Sequence, residues 1–248
     1  MWISIITLFP EMFQALQVGV IGKAIKENRL ILSCVNPRDF TTDARHSVDD
    51  RPYGGGTGMI MMVEPLYLAL QAAKNAAPTT PTTIYLSPQG QLFNQATALQ
   101  FKETTSLIFI AGRYEGIDER LIEQEVDQEW SIGDYILTGG ELAAMVMVDA
   151  TVRLLPGVVG DPASITQDSI TTGLLKYPQY TRPELALNLP VPDVLLSGNH
   201  AAIQTWRLKQ SLSRTAQRRP DLLEKRNLTN EEKSLLQALQ KEKKPNQK

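Results

Sequence analysis

Cysteine and histidine are almost missing from this 248-residue chain, which holds Cys34, His46 and His200 and no other residue of either type. A single cysteine cannot close an intramolecular disulfide, and three such residues scattered along the chain do not make a structural zinc site. Any bound metal is therefore expected to be a hard, oxygen-ligated ion. Long apolar runs are missing too: none approaches the roughly 18 residues of a membrane span, and Met1-Trp-Ile-Ser-Ile-Ile6 lacks the basic start of a signal peptide. The expected compartment is the cytoplasm. Cys34 falls in the apolar stretch 30–35, where a buried, inert thiol is expected.

The common nucleotide signatures are also lacking. Tyr53-Gly-Gly-Gly-Thr-Gly-Met59 has no Lys-Ser/Thr pair of a phosphate-binding P-loop, and neither it nor the Gly112 to Gly116 segment has G-x-G-x-x-G spacing. ATP hydrolysis and dinucleotide binding are left without support.

What the chain has is an alternation of short apolar runs with longer amphipathic segments up to residue 155. Strands are expected at 3–8, 30–35, 83–86 and 107–110, with a short one near Trp130. Helices are expected at 10–28, 64–77, 94–104, 118–125 and 140–155. Repeated βα units imply an α/β fold with a mostly parallel sheet covered by helices on both faces. Residues 36–62 form a long, polar, glycine-rich interruption, which in a compact domain is usually functional or disordered. A second interruption, 156–182, is broken by prolines and glycines and marks a boundary between a domain at 1–160, a linker at 161–182 and a small all-α domain at 183–248. In that last part Thr229-Asn-Glu-Glu232 is a capping-box pattern, and a frayed tail is expected from residue 241.

Charge divides along the same line. Residues 1–175 hold 11 Lys and Arg against 20 Asp and Glu, whereas residues 176–248 hold 14 against 7. A basic C-terminal part on an acidic body fits a polyanionic partner, although a solvated helical surface would look the same.

Three glycine-containing segments follow expected strands: Tyr85-Leu-Ser-Pro-Gln-Gly90, Ala111-Gly-Arg-Tyr-Glu-Gly116, and Ser131-Ile-Gly-Asp-Tyr-Ile-Leu-Thr-Gly-Gly-Glu141. One such turn needs glycine for backbone reasons alone. Three at the carboxyl ends of neighbouring strands, where open α/β sheets bind ligands, suggest one pocket with apolar walls for a flat heterocycle.

With Asp50-Arg-Pro-Tyr-Gly-Gly-Gly-Thr-Gly-Met59, Asp168-Ser-Ile-Thr-Thr-Gly-Leu-Leu175, Pro178-Gln-Tyr-Thr-Arg-Pro183 and Gly198-Asn-His-Ala-Ala-Ile-Gln-Thr-Trp-Arg207, these loops make the chain resemble the bacterial tRNA (guanine-37-N1)-methyltransferases along nearly its whole length. The resemblance implies a trefoil-knotted SPOUT (α/β-knot) domain and a homodimer with active sites at the subunit interface. It also implies a C-terminal domain that grips the tRNA anticodon stem-loop. It assigns S-adenosylmethionine to Tyr85, Leu86, Ser87 and Pro88, to Gly112, Tyr114 and Gly116, and to Ile132, Gly133, Asp134, Tyr135, Ile136, Leu137, Gly139 and Gly140.

The same resemblance makes Asp168 the general base that removes the proton from guanine N1, with Arg153 at guanine O6. From the residues alone, Arg153 reads first as a cation favoured at a helix C-terminus. Dependence on Mg2+ in that family makes Glu115 a candidate ligand, with a surface carboxylate as the alternative. His46 and His200 are expected on the RNA side, and Arg207, Lys209, Arg214 and Arg218 as phosphate contacts. One departure is visible: Ile170 stands where that family carries Phe. The residues themselves also leave open a related knotted methyltransferase acting at another RNA position, or an RNA-binding protein without activity.

Overall fold

The computed structural model describes residues 1–161, 165 and 168–242, without the side chains of 240–242. They belong to two compact units, Met1–Gly160 and Asp161–Lys248. In the first unit the strands are β1 (Trp2–Ile6), β2 (Ile31–Val35), β3 (Asp49–Asp50), β4 (Ile60–Met61), β5 (Thr82–Leu92), β6 (Ser106–Ile110) and β7 (Gln128–Ser131). Its helices are α1 (Gly19–Lys26), α2 (Val63–Ala76), α3 (Gln95–Phe101), α4 (Glu119–Glu125) and α5 (Glu141–Val152).

Five strands form a parallel sheet in the order β2-β1-β6-β5-β7. Side chains alternate across a strand, so a strand buried on both faces feeds two cores. Ile3 and Ile5 of β1 with Leu107 and Phe109 of β6 join one cluster, completed by Phe13, Ala144, Met147 and Val148. Trp2 and Ile6 with Ile108 and Ile110 join the other, completed by Leu66, Leu70 and Leu121. Helices thus cover both faces of a parallel sheet, as the sequence pattern implies.

Several boundaries differ from expectation for local reasons. The segment 10–28 is not one helix: a 3-10 turn, Pro10–Gln17, stops at the extended Val18, and α1 begins at Gly19 with φ +63°. A Cβ at Gly22 would lie 2.1 Å from the Gln17 carbonyl oxygen, so the break also needs glycine there. β5 does not end at Leu86. It runs on to Leu92, and both Leu86 and Gln91 oppose Trp130, so the intervening residues loop out as a bulge. Side-chain oxygens of Asn94 and Asp118 accept N–H bonds at the starts of α3 and α4, which fixes those helices. The polar stretch 36–62 is ordered in part: the β3–β4 ribbon pairs Asp49 with Met61 and Asp50 with Ile60, and Val48 and Met61 are buried.

In the second unit the helix His200–Arg218 is capped by Asn199, whose side chain accepts from the Ala202 N–H at 3.1 Å, and it buries Ser211, Leu212 and Thr215. The expected capping box is present: the Thr229 N–H donates to Glu232 Oε2 at 2.9 Å and the Glu232 N–H to Thr229 Oγ1 at 3.2 Å, opening the helix Asn230–Glu242. Part of the expected linker (162–164, 166 and 167) and most of the expected tail (243–248) lie outside the described residues. Among the described residues no helix is long and apolar enough to cross a membrane.

Candidate active site

At the carboxyl ends of β5, β6 and β7 the three glycine-containing segments enclose a cavity of about 240 Å3. Its walls are Tyr85 and Leu86 of β5 with Ser87 and Pro88 of its bulge, and Gly112, Tyr114, Glu115 and Gly116 after β6. After β7 they are Ile132, Gly133, Tyr135, Ile136, Leu137, Gly139 and Gly140. Asp134 is brought to the same loop but not to the cavity. The Tyr135 N–H bonds back to the Gly133 carbonyl at 3.0 Å, and this tight turn, with Gly133 at φ +151°, leaves Asp134 exposed at its apex.

The loops touch one another directly. The Gly140 N–H donates to the Gly112 carbonyl at 2.9 Å, and Arg113 and Gly139 form an antiparallel bridge. A Cβ at Gly140 would sit 2.8 Å from Ala111 Cα, and one at Gly112 would sit 2.9 Å from the Tyr85 ring. Backbone packs against backbone and ring here, which leaves main-chain polar groups beside apolar walls, as a flat heterocycle with an amine edge requires.

Sequence reasoning passed over the pair that ties these walls together. Arg113 Nε donates to Glu141 Oε1 at 3.1 Å and lies 2.9 Å from Oε2, while the Thr7 hydroxyl donates to Oε1 at 3.0 Å. Oε2 makes no hydrogen bond of acceptable geometry, so its contact with the guanidinium is one of charge. Arg113 also donates from Nη1 to the Thr138 carbonyl and lies over the Phe9 ring at 4.4 Å. A glutamate heading the apolar run 142–148 of α5 was the available signal, since a carboxylate there must find a partner once buried.

Burial raises the phenol pKa of Tyr85, and burial together with Asp49 raises that of Tyr114, so both rings enter the site neutral. Tyr114 itself has φ +60°. Cys34 is half-buried rather than buried, and this desolvation still pushes its thiol up to about 11, well away from a reactive thiolate. Glu115 lies against Gly58, where an added Cβ would meet Glu115 Oε1 at 2.4 Å. Among the described residues no group of three His, Cys, Asp or Glu side chains is arranged to hold a metal, so Glu115 has no such cluster around it. His46, at φ +52°, is fixed by its own loop: Nδ1 is 2.9 Å from the Thr41 hydroxyl, and Arg38 Nη1 donates to its carbonyl. Arg153 is the half-buried C-cap of α5, its N–H bonded to the Asp149 carbonyl at 3.2 Å.

In the second unit Asp168 opens a tight turn. The Ile170 N–H bonds to the Leu174 carbonyl at 2.9 Å and the Gly173 N–H to the Ile170 carbonyl at 2.8 Å. Ile170 takes φ +74° and is 45% exposed, so the residue that departs from the resembled pattern bends the chain rather than filling a core. The turn brings Lys176 Nζ to 3.3 Å from Asp168 Oδ1. On the long helix, Arg207, Arg214 and Arg218 recur at helical spacing, and the Arg207 guanidinium lies 4.8 Å from the Tyr177 ring centroid. Lys209 falls on a different flank, and His200 is the exposed first residue of the helix.

Residues 1–225 match the family described as tRNA (Guanine-1)-methyltransferase TrmD. The chain is 62% identical over 234 residues to a tRNA (guanine-N(1)-)-methyltransferase of Coxiella burnetii (strain RSA 493 / Nine Mile phase I), covering 94% of this chain and 95% of that protein. Proteins of the same name from Aeromonas hydrophila subsp. hydrophila and Pseudomonas syringae pv. tomato are 59% identical over 237 residues and 58% over 235. The first match covers 95% of each chain and the second 94% of each. The parallel sheet, the glycine loops at its carboxyl edge and these matches together place the chain in the tRNA (guanine-1)-methyltransferase family, a family of SPOUT α/β-knot enzymes.

Proposed function

We propose that this protein transfers a methyl group from S-adenosylmethionine to N1 of the guanosine at position 37 of tRNA, with Asp168 as general base. The observation that carries the reading is the cavity built from three loops at neighbouring strand ends, with backbone amides and carbonyls beside apolar side chains. Its residues fit the cofactor: the 132–137 and 112–116 walls suit an adenine ring and a ribose, and neutral Tyr85 and Tyr114 add no charge against a sulfonium. The bound cofactor supplies an electrophilic methyl group.

Neutral guanine carries a proton on N1, so attack without its removal would leave a cationic base. Asp168 accepts that proton as the N1 electron pair forms its bond to carbon; bound S-adenosylmethionine would supply the methyl group and leave with the carbon–sulfur electron pair. An ordinary Asp, with a pKa of about 3.9, is a weak base for this step. Positive charge at guanine O6 compensates by stabilising the developing anion, the role given to Arg153. A magnesium ion at Glu115 would be held mostly by water and RNA, and no step is assigned to it.

Arg207, Lys209, Arg214 and Arg218 hold the phosphates of the anticodon stem-loop, with His46 and His200 also on the RNA side. Exposed apolar side chains on two packed helices, Val20 of α1 with Leu142 and Val146 of α5, support a homodimer, with the active sites at the subunit interface. Such an enzyme works in the cytoplasm. The test is to incubate the protein with methyl-labelled cofactor and tRNA transcripts that differ only in the base 3′ to the anticodon. Label enters only the guanine transcript if the reading is right, and equal labelling of an adenine transcript overturns it.

A further inference from the structure

The proposed base is not a free carboxylate. Residues 168–176 fold back on themselves through the Ile170–Leu174 turn, and each limb of the turn is fixed. The Lys176 N–H donates to Ser169 Oγ at 2.9 Å, and the Leu175 N–H donates to the hydroxyl of Thr215, which is buried on the long helix, at 2.8 Å. These bonds bring Lys176 across from Asp168, where Nζ donates to Oδ1 at 3.3 Å. The side chains are 26% and 30% exposed, so the pair is partly open to a ligand.

Resting on the reading of Asp168 as general base, we propose that Lys176 is a positioning residue for methyl transfer. It is the counter-ion that keeps Asp168 ionised and turned toward the substrate until a guanine N1–H arrives to replace Nζ as donor. Electrostatics favours the states before and after proton transfer and opposes the transfer itself, which stabilisation of the developing guanine anion must offset. Before transfer, an adjacent cation stabilises the carboxylate and ensures that the base is unprotonated. After transfer, the same cation beside a newly neutral carboxylic acid promotes release of the proton to solvent, which restores the base.

Arg226 donates to the Thr172 carbonyl and pairs with Glu232 at 2.6 Å, and the residues that the long helix buries here, Ser211 and Thr215, carry no charge. Lys176, 3.3 Å from Oδ1, is thus placed to influence the working range of the base.

The experiment is the pH dependence of kcat/KM for methyl transfer to a tRNA transcript, in full-length wild type, Lys176→Met, Lys176→Gln and Lys176→Arg. A cation beside a carboxylate favours its charged form, so if Lys176 acts on Asp168 its removal moves the acid limb of the profile to higher pH. The expected shift is about one pH unit in the Met and Gln variants and none in the Arg variant. An acid limb at the same pH in all four proteins overturns the role of Lys176 while leaving Asp168 as base. Wild-type turnover by Asp168→Asn overturns both. Two neutral substitutions at a partly exposed position guard against a folding defect in either one, which unchanged thermal transitions would verify.

Discussion

Arg113 Nε lies 2.9 Å from Glu141 Oε2, a carboxylate whose side chain is only 1% exposed and which joins the loop after β6 to the first residue of α5. The pair closes the ring of contacts around the cavity, because Arg113 also reaches the Thr138 carbonyl. A buried pair gains little over an apolar replacement, but removing one partner strands the other charge. Glu141→Ala is therefore expected to cost about 3–5 kcal/mol. Glu141→Gln, which keeps the acceptor for Thr7, should cost less. Urea unfolding of both variants checks this, and a loss below about 1 kcal/mol in the Ala variant would show that Arg113 finds another partner.

Gly140 gives a sharper test of the cavity itself. An added methyl would meet Ala111 Cα at 2.8 Å and Gly112 N at 3.1 Å, and backbone on this scale cannot swing aside. Gly140→Ala should push the 139–140 segment off the loop after β6 and weaken S-adenosylmethionine binding at least tenfold by calorimetry. As a control, Gly160→Ala, with open space around its Cβ position, should bind normally.

Much of this was legible from sequence because it follows from period and from turn chemistry. Ile3, Ile5, Leu107 and Phe109 sit in apolar runs short enough to be strands, and Asn94 and Asp118 announce the helices they cap. What escaped depended on contacts distant in the chain. Nothing local in Ser87-Pro-Gln-Gly90 says that β5 resumes at Gln91, because the resumption is dictated by pairing with Trp130 on β7. Helical period carried the reading straight through Val18 and Gly19, where backbone conformation breaks it. Glu141 appeared as the tail of a loop, and only the fold places Thr7 and Arg113 around it. Lys176 looked like one more charge of a basic region until the turn at Ile170 brought it to Asp168.

The last helix should respond to acid. Burial raises the pKa of Glu232, but hydrogen bonds from Arg226 and the Thr229 N–H outweigh it and hold the carboxyl below its ordinary value of 4.5. A depressed folded pKa contributes stability that is present above the unfolded value and is lost as pH falls through the folded one. Helicity of Asn230–Glu242 should therefore decline below about pH 4.5 in wild type, read from amide chemical shifts. Glu232→Gln should lower it already at pH 7 and abolish the dependence. An acid response that survives in that variant would assign it to another carboxylate.

Arg214 and Arg218 are spaced four residues apart on the helix His200–Arg218, in a unit whose sequence is strongly basic. If they contact phosphates, each bound guanidinium releases condensed counter-ions, and the logarithm of affinity falls linearly with the logarithm of salt concentration. Removing one phosphate contact should reduce the slope by about one, whatever the sequence of the RNA. Arg214→Ala and Arg218→Ala are each expected to weaken binding of an anticodon stem-loop at low salt and to flatten its salt dependence by that amount. Cofactor affinity should stay unchanged, because neither residue lines the cavity. Filter binding across a salt series decides the matter: a parallel line displaced to lower affinity would mean that these arginines support the helix rather than touch the RNA backbone.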